Sequence, residues 1–307
     1  MNTVPIFLAP SRRRDPNHVR RGLVWGMLAP YLFFLLAFAI VPVAGALWAS
    51  LGGFGARDPF GLGTFARAFS NLNFLPAVIN VGTFILVMLP PLLIIATLGA
   101  LILHARPGRF TTAIRLIFFI PGTVVGAPLV LLWLFMLTPQ LSPFQPILNL
   151  LGFQSAAQVF TAPNLPVIFA IISIYAGVGG WIVVLYGSLD AIDTNIMEAS
   201  RIDGANAVQQ AWYIKLPLIR RYVAFIGILS FAGAAQLAAE PNLVGAAFPG
   251  TVSQAWSLNQ LAFYYAFQQN DAAAAAAYGI FLVVVGLAAA LVLIFGLKGY
   301  GSETESS

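Results

Sequence analysis

Six stretches of nearly continuous apolar residues divide the chain, at about 23–47, 77–103, 114–137, 166–189, 222–239 and 272–297. Each is long enough to cross a hydrocarbon layer as a helix, which takes about 20 residues. The second holds Pro90-Pro91 near its middle, where a kink is expected, and the third holds Pro121 and Pro128. The small residues Ala176 to Gly180 in the fourth permit close helix packing. Between the spans, 52–73 is Gly-rich, and 138–163 is uncharged and reads as an outer loop with a short interfacial helix. Residues 241–257 read as irregular, and 258–270 are rich in aromatics and amides. The pattern predicts an all-α integral membrane protein of six transmembrane helices, as one domain over 22–297 flanked by a basic segment, 1–21, and a short tail, 298–307.

Composition narrows the class. The chain is 60% hydrophobic and 8% charged, with a mean hydropathy of +0.88, against about 25% charged residues in a soluble domain. Without cysteine there is neither disulfide nor thiolate chemistry, and two distant histidines, His18 and His104, make a metal centre or a histidine-based triad a poor fit. The predicted catalytic set and metal set are therefore both empty. A net charge of +5 marks sidedness here rather than nucleic acid. With six spans and an inner N-terminus, the inner segments hold all but Arg57 and Arg67 of the fifteen Lys and Arg residues. That is the positive-inside distribution, and it places both termini and the loop at 190–221 in the cytoplasm. The basic start could be taken for a signal peptide, but the apolar run after it is too long.

The 190–221 loop is the one punctuated, charged stretch in this part of the chain. Asn195 followed by Glu198 fits a capping box, and Gly204 suits the left-handed residue that ends a helix, so a two-turn helix is expected from about Ile196 to Asp203. A helix so short needs a partner surface. Ala199, Ser200, Ala205 and Ala207 are small enough to let one approach, and Pro217 marks the start of the next span. A capped linker between two spans would account for the same local features.

The spacing is more specific. Glu198-Ala199-Ser200, three residues, Gly204, nine residues and Ile214-Lys-Leu-Pro217 resemble the EAA loop of ABC importer permeases, with Ser200 in place of the second Ala. A Pro often found shortly after the Leu-Pro is missing; Arg220 and Arg221 stand in that region. Looser resemblance to sugar-importer permeases extends through Leu28-Ala-Pro-Tyr31, Pro42 and Leu47-Trp-Ala-Ser50. It continues in Gly61-Leu-Gly-Thr-Phe65, with Thr64 where Asn is usual, and in Arg115, Phe118-Phe-Ile-Pro121 and Leu132-Trp133. The maltose- and glycerol-phosphate-type first permease subunit is the nearest pattern. Pro241 to Gly250 stands where the family often has a Gly-Gly-Pro-type stretch.

The resemblance implies a type I importer fold in a bacterial cytoplasmic membrane. It implies a second permease subunit, two ATPase subunits that bind ATP and Mg, and an extracellular solute-binding protein. The chain itself has no phosphate-binding loop, so it is expected to be no enzyme and to hold no cofactor. Glu198, Ala199, Ser200 and Gly204 are carried over as coupling residues, with Asp203 and Ala205 as flanking contacts. For the substrate path, Gln236 and Glu240 are expected to share a helix face with Leu229 and Gly233. Glu240 fits either a cavity or the headgroup layer. Asn259, Gln260, Phe263, Tyr264, Tyr265, Gln268 and Gln269 suit contacts to a sugar or an interfacial aromatic belt. Gln236, Glu240, Asn259 and Tyr264 are the pathway candidates, while Asp271 reads as the N-cap of the last span. A permease for a non-carbohydrate solute is the nearest alternative. A secondary transporter would need coupling-ion groups or inverted repeats that do not stand out.

Overall fold

In hydrocarbon every backbone N–H and C=O needs a partner within the protein, and a helix supplies one inside each segment. The apolar stretches fold accordingly. The computed structural model describes residues 21–53, 57–106 and 108–298. The basic segment 1–21 and the tail 298–307 lie outside them, apart from Arg21 and Lys298.

In α1 (Arg21–Leu35) the chain is helical and passes through a π-helical turn, Leu36–Ile40, into α2 (Val41–Ser50). Next come the short α3 (Gly63–Phe69) and the long α4 (Phe74–Ala105), which continues across Pro90-Pro91. After α5 (Arg109–Phe119) a 3-10 turn leads to α6 (Ala127–Leu137). Two small helices follow, α7 (Gln145–Leu150) and α8 (Ala156–Val159), and then α9 (Leu165–Asp190). The loop carries α10 (Thr194–Ile202) and α11 (Ala207–Gln210), and a π-helical turn, Ala211–Lys215, joins it to α12 (Leu216–Ala235). The chain ends in α13 (Ala239–Ala247), α14 (Leu258–Phe267) and α15 (Ala272–Lys298).

Among the described residues five helical runs are long and apolar enough to span a membrane: Val24–Ser50, Phe74–Ala105, Leu165–Asp190, Ala207–Ala235 and Ala272–Val292. The expected third span is not a straight helix. It breaks between Thr123 and Ala127 with a bend of 100°, and it makes a sixth span only if α5 and α6 are taken together. Pro121 and Gly122 tighten the chain into the 3-10 turn, and Gly126, at φ +71°, turns it the other way before Pro128 starts α6. The span expected at 222–239 also differs. Its helical run extends from Ala207 to Ala235, continuing across Pro217 because the π-helical turn just before it absorbs the hydrogen bond proline cannot donate.

The core lies between α4, α9 and α12, where Phe84, Leu92, Ala96, Phe169, Ile182, Leu185 and Ile226 are almost fully buried. Gly99 faces the Ile182 side chain, and a Cβ there would lie 3.0 Å from it. The small-residue stretch of α9 serves the broken segment: Gly179 lies directly on the Phe118 carbonyl, and a Cβ on Gly122 would be 2.8 Å from the Ala176 carbonyl oxygen. By contrast, no residue from Val24 to Ala49 is buried.

A second cluster ties α3 to α14 and α15 at the end of the bundle opposite the loop. Ala273, Ala274 and Ala277 are fully buried, and the Tyr278 hydroxyl donates to the Ala68 carbonyl at 2.8 Å. Asp271 caps α15 by accepting from the Ala274 N–H at 2.9 Å. Its other oxygen meets Arg67 at 2.6 Å, and Arg67 also holds Asp58 at 2.8 Å. Burial would raise the Asp271 carboxyl, but the Ala274 N–H and the Arg67 guanidinium outweigh it and hold it below its ordinary value.

Two outcomes follow. Gly179→Ala drives a methyl into the Phe118 carbonyl and is expected to cost about 1–3 kcal/mol, seen as a lower apparent melting temperature in detergent; Gly187→Ala, with open space around its Cβ, is the control. Because the Asp271 pKa is lower in the folded state than unfolded, its contribution is complete above the ordinary carboxylate value and fades as pH falls through the depressed one. Asp271→Asn should therefore lower the melting temperature at neutral pH, with a deficit that shrinks toward acid; a deficit independent of pH would refute the ion-pair account.

Candidate coupling loop and outer cavities

The 190–221 loop is built from two short capped helices. Asp193, not Asn195, is the N-cap of α10, and its carboxylate accepts from the Asn195 N–H at 2.9 Å. The helix starts two residues earlier than expected because Asp193 can reach a free N–H of the first turn. The reciprocal capping box lies further on, between Asn206 and Gln209 at the start of α11, with bonds of 2.8 and 2.9 Å. At the far end of α10, Gly204 takes φ +81°. The Ala205 N–H bonds the Ser200 carbonyl and the Gly204 N–H bonds the Arg201 carbonyl, closing a Schellman turn.

These turns sort the expected coupling residues onto two faces. Glu198, Ala199, Asp203 and Gly204 are exposed and Ala205 is half-buried. Ser200 is buried, so it faces the chain itself rather than a partner. Its hydroxyl donates to the Met197 carbonyl at 2.8 Å and accepts from the buried Gln210 amide at 2.9 Å. That bond pins α10 to α11 and gives a reason for serine where the resembled motif has alanine. Ile202 was not among the expected contacts, yet it is 86% exposed beside Gly204. Isoleucine in an otherwise polar stretch was the sequence feature that marked it. Tyr213, 80% exposed, borders a shallow groove of about 280 Å³ shared with Asp203, Gly204, Ala205 and Gln209.

Behind the loop, toward the bundle, lies a polar cavity of about 410 Å³ bordered by His104, Tyr186, Asp190, Glu198, Arg201 and Lys215. The buried Lys215 ammonium meets His104 Nδ1 at 2.9 Å.

At the opposite end the four pathway candidates separate. Gln236 and Glu240 do not share a helix: α12 stops at Ala235, Gln236 is its C-cap, and Ala238 at φ −150° turns the chain into α13. Within one continuous helix, Pro241 would have neither the N–H for its bond nor room for its ring; in the first turn of a new helix it needs neither. Glu240 thus sits at the N-terminal turn of α13, where a negative charge is favourable, and borders neither of the two cavities at this end. Gln236 and Asn259 do come together, the Asn259 amide donating to the Gln236 carbonyl at 3.0 Å. They border a groove of about 500 Å³ floored by Ala232, Gly279 and Gly286. Tyr264 faces a second cavity, of about 390 Å³, with Asn242, Gln254, Phe263 and Gln268. Gln260 braces that cavity through a 2.6 Å bond to Asn242. The segment expected to be irregular, 241–257, is helical at its start, in α13, and forms turns from Phe248 onward.

No family profile matches the chain. Curated relatives do. The arabinooligosaccharides transport system permease protein AraP of Halalkalibacterium halodurans is 26% identical over 230 residues, covering 73% of this chain and 71% of its own. The sn-glycerol-3-phosphate transport system permease protein UgpA of Escherichia coli is 28% identical over 280 residues, covering 86% and 91%. The probable ABC transporter permease protein YurN of Bacillus subtilis is 23% identical over 275 residues, covering 86% and 92%. Among solved structures, a chain of a bacterial ABC transporter involved in the import of the acidic polysaccharide alginate superposes with a TM-score of 0.73 at 21% identity, covering 90% of this chain and 95% of that one. A second alginate ABC transporter structure, in complex with an alginate pentasaccharide-bound periplasmic protein, gives 0.72. Sequence along most of the chain and the course of its helices thus agree on one resemblance: to the transmembrane permease subunits of carbohydrate-uptake ABC transporters.

Proposed function

We propose that the chain is one permease subunit of an ATP-driven importer of a sugar or oligosaccharide in a bacterial cytoplasmic membrane. It forms half of the translocation path over 22–297, beside a second permease subunit. Two separate ATPase subunits hold ATP and Mg, and an extracellular binding protein delivers the solute. The N-terminal segment, the tail and the 190–221 loop face the cytoplasm. Arg106, Arg109, Arg115, Arg201, Arg220 and Arg221 lie on or next to the end of the bundle that carries the loop, while Arg57 and Arg67 lie at the other, which supports this orientation.

The observation that carries the reading is α10 itself. It is a nine-residue helix, capped at both ends by its own chain, with Glu198, Ala199, Ile202, Asp203 and Gly204 exposed. Ile202 gives an ATPase subunit an apolar contact, Gly204 lets backbone approach backbone, and the buried Ser200–Gln210 bond keeps the helix from yielding when pushed. The lining of the outer cavities supports the cargo class. The residues bordering the 390 and 500 Å³ cavities include amides and aromatic rings but no charged side chain. They suit the hydroxyls and apolar faces of a neutral saccharide, whereas a phosphorylated or acidic solute finds no cation there.

The test is substitution in the loop, with uptake and membrane abundance measured together. A Cβ at Gly204 meets nothing within 4 Å inside the chain, so Gly204→Asp should leave the protein inserted. The left-handed conformation then costs about 1–2 kcal/mol, and the added carboxylate blocks the partner. Uptake is expected to be lost, and Ile202→Glu is expected to weaken retention of the ATPase subunit on a tagged permease. Normal uptake with Gly204→Asp would count against docking at this surface.

A further inference from the structure

The loop leaves the bundle at Asp190, the last residue of α9, and returns at Lys215, the last residue of the π-helical turn before α12. One imidazole lies between these two feet. His104, in the last turn of α4, takes the Lys215 ammonium on Nδ1 at 2.9 Å and faces the Asp190 carboxylate across 3.7 Å through Nε2. With Nδ1 accepting, the proton of the neutral ring is on Nε2, toward Asp190. The ring also packs on Tyr186 of α9, centroids 5.6 Å apart. Arg115 of α5 covers the same tyrosine at 3.9 Å.

We propose that His104 is a positioning residue that clasps the base of the coupling loop, so that displacement of the loop moves α4, α9 and α12 together. The inference rests on the permease reading above. Its reasoning is mechanical. A π-helical turn lacks the regular bonding of an α-helix and is a natural place for a rod to yield. Lys215 ends that turn, and its bond to His104 braces it against α4, which is in turn packed along α9 through Gly99 and Ile182. Without the clasp, a push on α10 is taken up at the π-helical turn and does not reach the outer ends of the helices.

The absence of cysteine allows a readout that needs no knowledge of the solute. Leu72→Cys, exposed just before the outer end of α4 and bordering neither of the cavities there, is labelled with a maleimide in the purified, reconstituted assembly, with and without trapping by ATP and vanadate. ATP hydrolysis is measured in parallel. With His104 intact, trapping is expected to change the labelling rate ~5-fold or more, the size of an ordinary coupling effect. His104→Leu should abolish that change while hydrolysis stays within about twofold. Lys215→Met should do the same, the double variant should add nothing further, and His104→Gln, which keeps an acceptor for Lys215, should restore the response. An undiminished labelling change in His104→Leu would overturn the clasp. So would a parallel loss of labelling change and hydrolysis that His104→Gln fails to rescue, since that is the mark of a merely structural residue. If the parent Leu72→Cys assembly shows neither hydrolysis nor any dependence on nucleotide, the permease reading itself falls, and the clasp with it.

Discussion

The contact between Gly179 and the Phe118 carbonyl is what the rest of the bundle depends on. A chain that breaks its helix at membrane depth exposes peptide groups that lipid cannot satisfy. Here the break between α5 and α6 is tolerable because it lies against another helix that has no side chain at the point of contact. The same approach holds α5 near α9 and sets Arg115 over Tyr186. From Tyr186 the packing continues to His104 and the base of the loop. A missing methyl group thereby fixes where the polar cavity behind the loop can form.

Much of this was legible in the residues. Apolar length alone located four of the five spanning helices to within a few residues, since hydrocarbon thickness leaves little freedom, while the span expected at 222–239 begins instead at Ala207. The alanine run 272–277 and the α9 glycines announced close packing, and Asp271 its capping role. The 100° bend was not legible. Pro121 and Pro128 stood in plain view, but prolines at 90 and 91 leave α4 continuous, and only the glycines at 122, 126 and 179 distinguish the two cases. That distinction depends on a neighbouring helix, which local pattern does not contain.

In the loop, the local signals announced a short capped helix ending at Gly204 but not which of its residues face inward. Nine residues make two and a half turns, so adjacent positions such as Ala199 and Ser200 point apart, and the inward member then needs a polar partner. Gln210, ten residues on, is that partner. The pairing of Asp193 with the helix start could have been weighed from sequence, since aspartate caps as well as asparagine. The split between Gln236 and Glu240 was also readable in principle, because Pro241 forbids the helical bond that would have joined them. What no pattern gave was the distribution of amides over two separate cavities, which the turn at Ala238 decides.

The first span has a different kind of consequence. From Val24 to Ala49 no residue is buried by the chain's own fold, although Trp25, Phe33, Phe34 and Phe38 are large. Fatty acyl chains accept almost any apolar side chain, so contact with lipid alone imposes composition but no identity at individual sites. In an alignment of orthologues, positions in this stretch that resist exchange among Leu, Ile, Val and Phe would be the footprint of a neighbouring polypeptide, readable without that neighbour ever being isolated.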